Sequence, residues 1–359
     1  MSGRLICPSG ESPHRIRASA NPRRRDSGHI SPMRRVVVIG AGAAGTMAAI
    51  FAATAGAETM LLERTRDGGR KILISGGGRC NVLPSELDES RFVTDSSPNT
   101  LRKMIRSWPL AEQKTFFEQE VGIPLVEESE SRKMFPASHK ARDVRDGLLA
   151  LARRRGATIC FDTQVIDVVP RETGWSVTCA GAPTFDADAV IIATGGLSVP
   201  MTGSDGTGLR VLERLGHTMH TTYAALTPMV ASPPPYASLS GVSLSVSLTA
   251  TSASRAATAT GGFLFTHIGY SGPSVLDVSH VVVRSRAEGE VPPARVTVQW
   301  TTLGDDEWSE RLKPRGARTV MGALRAELPD RLAAALIASA NVSPDRVLSE
   351  LQRDERMRL

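Results

Sequence analysis

Three glycines and a glutamate set the first chemistry. Gly40-Ala41-Gly42-Ala43-Ala44-Gly45 follows the apolar, β-branched run Val36 to Ile39, the order expected where a strand turns into a helix around a phosphate. Gly40 permits the tight turn, Gly42 lets a pyrophosphate approach the backbone, and Gly45 lets helix and strand pack closely. Ala43 and Ala44 open the helix, whose free N–H groups carry about half a positive charge and can hold the phosphates. Glu63 lies 18 residues beyond Gly45, after a second apolar strand, Thr59 to Leu62. Its carboxylate is placed to accept hydrogen bonds from an adenosine ribose and to repel a 2′-phosphate, which favours FAD or NAD over NADP.

A second glycine-rich segment, Gly68-Gly69-Arg70-Lys71 through Ser75-Gly76-Gly77-Gly78-Arg79-Cys80-Asn81, is too long for a simple turn. Its glycines allow backbone to lie against a flat or charged ligand, and its basic side chains can neutralise phosphates. A nicotinamide-only domain has no need of such a segment, so FAD is the expected cofactor.

The elements that must position these residues follow from periodicity. Residues 36 to 57 are 22 consecutive uncharged positions, long enough to span a membrane, yet Gly40, Gly42, Gly45 and Gly56 punctuate them and identify a βαβ unit instead. Met47, Ile50, Phe51 and Thr54 recur at helical steps, and Gly56 suits the helix end. Helical patterns are expected at 98 to 121 and 138 to 155, and strands at 157 to 169, 174 to 180 and 184 to 193. A glycine-rich stretch from Gly203 to Gly208 leads into a short helix ending near Gly216. Val242 to Thr249 alternates with period two and predicts a half-buried strand. Residues 218 to 303 read as β-rich and 305 to 359 as helical.

Charge and cysteine content narrow the class. Lys plus Arg number 43 against 37 acids, but residues 1 to 35 hold eight arginines and only Glu11 and Asp26. The rest of the chain is therefore neutral overall, and with 16 aromatic residues it lacks the means to stack nucleic-acid bases. Arg153, Arg154 and Arg155 suit the negative end of a helix better than a nucleic acid. The arm is expected to be disordered or to precede a start at Met33, ahead of a targeting or anion-binding role. Cys7, Cys80, Cys160 and Cys179 form no Cys-x-x-Cys pair, which fits a reducing, cytoplasmic setting.

These motifs resemble those of the two-dinucleotide-fold flavoproteins, and within them the BaiN-like or aminoacetone-oxidase-like FAD-dependent oxidoreductases. The resemblance rests on Gly40 to Gly45 with Glu63, Gly69-Arg70-Lys71 to Asn81, Met134-Phe135-Pro136, Ala193-Thr194-Gly195-Gly196 with Gly203-Ser-Asp-Gly206, and Phe265-Thr266-His267 to Pro273. It implies an α/β fold: a Rossmann-like FAD-binding domain over 34–217 after an arm at 1–33, a β-rich insertion at 218–303, and a helical subdomain at 304–359. The pyrophosphate would sit at Gly42 to Gly45 and the ribose on Glu63 beside Arg64. Arg70, Lys71 and the loop carrying Ser75, Gly76, Gly77 and Asn81 would run toward the flavin. Val165 and Thr194-Gly195-Gly196 would complete the pocket. The implied activity is flavin hydride or electron transfer with a small organic molecule, and NAD(P)H or oxygen as redox partner; the charge balance and the glycines within residues 36 to 57 lead to the expectation of no nucleic-acid or membrane partner.

One departure bears on that activity. The family pattern closes with a strand and a glycine-rich segment that covers the flavin, and no glycine follows Gly322. A chain truncated at its C-terminus is expected, with an exposed sheet edge; an inactive remnant or half of a split protein is the alternative, and a tRNA-modifying flavoprotein a further one. No catalytic side chain is assigned. His267 could shuttle a proton, but a loop histidine bonded to backbone is favoured. Cys80 suits a small packed residue better than a redox thiol, His217 and His220 lack further metal ligands, and no Gly-x-Ser-x-Gly elbow occurs.

Overall fold

The computed structural model describes residues 33–129 and 131–359; the basic arm, except Met33, lies outside the described residues. His217 ends one compact unit and Thr218 begins another.

In the first unit, β1 (Arg35–Ile39), α1 (Ala43–Thr54) and β2 (Glu58–Leu62) form the βαβ core. The chain continues through α2 (Arg70–Ile74), β3 (Leu83–Pro84), α3 (Pro98–Arg106), α4 (Leu110–Thr115), a π-helical turn at Phe116–Val121, β4 (Leu125–Glu128), β5 (Lys133–Pro136) and α5 (Ala141–Arg154). It then makes β6 (Thr158–Cys160), β7 (Val165–Pro170), β8 (Trp175–Cys179), β9 (Phe185–Ala187), β10 (Ala189–Ile192) and α6 (Thr207–Arg214). A parallel sheet runs β10-β1-β2-β6, and two antiparallel three-stranded sheets are inserted in sequence between its strands, β3-β5-β4 between β2 and β6 and β7-β8-β9 between β6 and β10.

The parallel sheet forms because its strands are apolar on both faces. Val38 pairs with Leu61 on one side and Ile191 on the other. Val38 and Leu61 are fully buried, each stabilising the fold by roughly 1.5–3 kcal/mol through lost water contact. Small residues let α1 lie close to the sheet, with Gly45, Thr46, Ala49 and Ile50 buried. Gly56 takes φ +87 immediately after the helix, the left-handed end that its sequence position suggests.

Three expected elements divide. The helix at 98 to 121 breaks at Ser107–Pro109, because Pro109 cannot continue the hydrogen bonding of α3; Trp108 packs there edge-on to Phe51 and Phe116, with centroids 5.6 and 5.4 Å away. The strand at 157 to 169 becomes β6 and β7, separated by a turn in which Asp162 takes φ +51. The strand at 184 to 193 becomes β9 and β10, which leave Asp188 between two different sheets.

The second unit contains β11 (Met229–Val230), β12 (Ser243–Thr251), β13 (Ala256–Thr266), β14 (Gly269–Ser271), α7 (Pro273–Ala287), β15 (Arg295–Gln299), α8 (Asp305–Arg311), α9 (Val320–Leu324), α10 (Asp330–Ser339) and α11 (Arg353–Arg358). Its sheet is antiparallel, ordered β11-β14-β13-β12-β15. Along β12, Val246, Leu248 and Ala250 are buried while Ser243 and Ser245 are exposed, as alternation requires. The expected division at 303/304 does not separate two cores: Phe263, Phe265, Val275 and Val278 share one with Val320, Leu332 and Ile337. Helix α7, inside the stretch expected to be β-rich, is a finding of the structure.

Candidate functional site

A cavity of about 640 Å³ opens in the first unit at the carboxyl ends of β1, β2 and β10, marked by Ile39, Leu62 and Ile192. Ligands of open parallel sheets bind at that end, and the volume is within the usual range for small-molecule sites. Gly40, Gly42, Ala43 and Ala44 line it at the start of α1.

The three glycines have separable reasons. Gly40 takes φ +102, and a Cβ there would meet the Ala193 carbonyl oxygen at 2.7 Å. A Cβ on Gly45 would lie 1.8 Å from the Gly40 carbonyl oxygen, so this glycine allows helix and turn to touch. Gly42 has nothing of the chain within 4 Å of its would-be Cβ, and its φ of −77° suits any residue. No contact within the unit requires glycine there, whereas a ligand against the backbone would. The first turn of α1 has no acidic side chain and its cap makes no side-chain hydrogen bond, leaving the terminal N–H groups to an anion.

Glu63 is buried at the end of β2. One carboxylate oxygen accepts from the Ala41 N–H at 2.7 Å; the other accepts from the Thr65 N–H at 2.8 Å and its hydroxyl at 2.7 Å. These bonds join the glycine turn to the loop after β2, and the carboxylate retains lone-pair sites for a further donor.

The second glycine-rich segment folds onto the first. Gly69 N–H donates to the Ala41 carbonyl at 2.8 Å; Gly69 takes φ +60, and a Cβ there would also strike the Arg145 side chain at 2.5 Å. Buried Arg145 bonds Asp146 at 2.6 Å and pairs with Asp67 at 3.4 Å; Asp67 also holds Arg70 at 3.4 Å. Arg70, Lys71, Ser75 and Asn81 line the cavity, and Lys71 Nζ donates to Ser198 Oγ at 3.0 Å. Cys80 also lines it, and burial raises its thiol pKa, offset in part by a hydrogen bond with Ser75.

The far wall comes from the start of β7 and from the segment after β10. Val165, Thr194 and Gly195 line the cavity with Ser204, Asp205 and Thr207. Arg64 Nη1 pairs with Asp205 Oδ2 at 2.8 Å. That guanidinium, followed by the Thr207 hydroxyl, holds the Asp205 carboxyl well below the usual carboxylate range. Phe117, Val144 and Leu148 add an apolar wall.

Of the residues expected around a cofactor, Gly45, Gly76, Gly77 and Gly196 fall outside this lining. Gly45 packs as described, and Gly76 takes φ +56 with a Cβ position 2.9 Å from both Asn81 N and the Phe135 ring. Thr65 and Asp205 line the cavity without being among the residues expected from sequence, and Arg145 supports the lining from behind through Asp67. Arg145 shares the buried stripe of α5 with Ala141, Val144 and Leu148. His267 is exposed in the turn between β13 and β14 of the other unit, and the described residues contain no metal-ligating cluster. They also contain no helix long and apolar enough to cross a membrane.

The residues fit an adenine dinucleotide: an uncapped helix start, a glycine facing open space, an anchored ribose acceptor and cations along the cavity. The chain belongs to the family described as HI0933-like protein Rossmann domain, whose model matches residues 34–304. This is an FAD-binding Rossmann family. The chain is 30% identical to 3-dehydro-bile acid delta(4,6)-reductase of Clostridium scindens over 74% of its own length and 64% of that protein's. It is also 30% identical to the ribosomal RNA dihydrouridine synthase of Escherichia coli, over 68% of this chain and 60% of that protein. It thus spans less than two thirds of either relative. Among solved structures, 3-ketosteroid-delta4-(5alpha)-dehydrogenase from Rhodococcus jostii RHA1 overlays with a TM-score of 0.37 at 18% identity, covering 60% of each chain.

Proposed function

We propose that this chain binds FAD in the cavity of its first unit and works as an oxidoreductase that reduces a carbon–carbon double bond conjugated to a carbonyl in a small organic molecule. The observation that carries the cofactor assignment is Gly42, which no neighbour in the chain requires to be glycine and which faces the cavity at the start of α1. The terminal N–H groups of α1 would hold the pyrophosphate, Glu63 the ribose hydroxyls, and Lys71 and Arg70 would balance the remaining charge. Bound FAD supplies two-electron hydride transfer, while the protein binds, orients and tunes it.

The substrate class is supported by what the two relatives' names share. A 3-dehydro steroid with delta(4,6) unsaturation carries double bonds in conjugation with its ketone, and dihydrouridine arises by saturating the uracil double bond next to a carbonyl. In both, the carbonyl makes the distal carbon of the alkene electrophilic, so the reduction adds a hydride there and a proton to the nearer carbon. A small molecule is favoured over RNA because residues 36–359 carry as many acids as bases, leaving little attraction for a polyanion.

The test starts with titration of FAD into the purified chain, followed by quenching of flavin fluorescence; saturable binding is expected. The loaded protein, reduced chemically without oxygen, is then mixed with a cyclic enone, the matching saturated ketone, or a uridine-containing RNA. Reoxidation of the flavin by the enone alone supports the reading. Reoxidation by oxygen but by no enone overturns it in favour of an oxidase.

A further inference from the structure

We propose that Asp205 is a specificity-determining residue of the nucleotide site: by pairing with Arg64 it withholds the guanidinium next to Glu63 from a 2′-phosphate, keeping the cavity for an adenosine whose ribose is unphosphorylated. This rests on the reading of the cavity as an FAD site. Arg64 directly follows Glu63 at the carboxyl end of β2, and both line the cavity. An arginine beside the ribose acceptor is the usual means of accommodating a 2′-phosphate, because its planar fork matches phosphate oxygens. Left free, Arg64 would weaken the discrimination that Glu63 provides.

The geometry prevents this from two sides. Asp205 Oδ2 takes Arg64 Nη1 at 2.8 Å, while Asp205 Oδ1 accepts from the Thr207 N–H at 3.1 Å and its hydroxyl at 2.7 Å, which fixes the carboxylate at the entrance to α6. Gly203, at φ +103, brings bare backbone beneath the guanidinium, its would-be Cβ 3.4 Å from Nε. The neighbouring Arg210 bonds the Asp205 backbone carbonyl at 3.0 Å and the Thr207 hydroxyl at 2.9 Å, leaving the Asp205 carboxylate to Arg64. A 2′-phosphate arriving here would meet two carboxylates and an arginine already neutralised by one of them. The pair is partly exposed, at 30% and 40% for its two side chains, so its loss costs little stability.

The experiment uses the full chain and measures affinities for FAD, ADP and the 2′-phosphorylated form of ADP by calorimetry. The unmodified protein is expected to favour ADP. Asp205→Asn should raise affinity for the 2′-phosphorylated nucleotide relative to ADP by about tenfold to a hundredfold, the span of one or two charge-assisted hydrogen bonds. Adding Arg64→Met to that variant should abolish the gain, and Arg64→Met alone, which leaves the Asp205 carboxylate without its cation, should not raise affinity for the 2′-phosphorylated nucleotide relative to ADP, which keeps the idea testable should the Asp205 variant fold poorly. If FAD binds but Asp205→Asn does not move the ratio, or Arg64→Met alone raises it toward the 2′-phosphorylated nucleotide, the role of Asp205 is overturned and the FAD reading stands. If the unmodified chain binds neither FAD nor ADP, both are overturned.

Discussion

At the scale of single residues, the glycines of the first turn separate folding from binding. Gly45→Ala places a Cβ against backbone that cannot yield, and destabilisation of about 2–3 kcal/mol is expected, read as a lower denaturant midpoint with no ligand present. A Cβ on Gly42 meets no atom of the chain, so Gly42→Ala should lower the midpoint by no more than the loss of a favourable N-cap residue, about 1 kcal/mol, while FAD affinity falls by about tenfold or more, the equivalent of one lost backbone contact to phosphate. The fingerprint and Glu63 were legible in sequence because their spacing is local: a strand, a turn and a helix within 30 residues. Arg64–Asp205 was not, since its partners lie 141 residues apart and only the fold brings the 203–207 turn to the end of β2. Arg145 was hidden for another reason. A charged residue on an apolar stripe departs from helix patterning, and its burial depends on Asp67 and Asp146 being in place to pair with it.

At the scale of elements, the parallel strands could be read because burial on both faces makes them continuous apolar runs, whereas β9 and β10 merged because Asp188 alone separates them. Helix α7 was missed: Val281-Val282-Val283 favours a strand by propensity, and its buried face mixes Val275, Val278 and Val281 with Ser274, Ser279 and Ser285. Gly272 followed by Pro273 was the available signal, proline being suited to a first helical position. The end of α7 yields a pH prediction. The Ser254 hydroxyl donates to Glu290 at 2.5 Å and, as the first cause, lowers that carboxyl from 4.5 to about 2. Because the folded pKa is depressed, the stabilisation is present above about pH 4.3, the free-glutamate value, and is lost as pH falls toward 2. Glu290→Gln should therefore flatten this part of the melting-temperature profile measured against pH.

At the scale of the molecule, every residue lining the candidate cofactor cavity falls between Ile39 and Leu212, within the unit that ends at His217. A fragment of residues 33–217 is expected to bind FAD within about tenfold of the full chain's affinity, since no lining contact is removed; fluorescence titration of both would show a larger loss if the second unit supplied part of the site. The second unit's shared core predicts that residues 218–359 unfold in one cooperative transition, checked by agreement of calorimetric and van't Hoff enthalpies. Two transitions would restore a separate helical subdomain at 304–359.

The hold of Ala41 and Thr65 on Glu63 has a kinetic consequence. With three donors already fixing the carboxylate, no rearrangement at the ribose acceptor needs to precede capture of the nucleotide. Association should be a single encounter whose observed rate climbs linearly with FAD concentration in stopped flow, without the plateau that a slow conformational step would impose. Thr65→Val removes the hydroxyl donor while leaving the backbone bonds, and should show itself mainly as faster release.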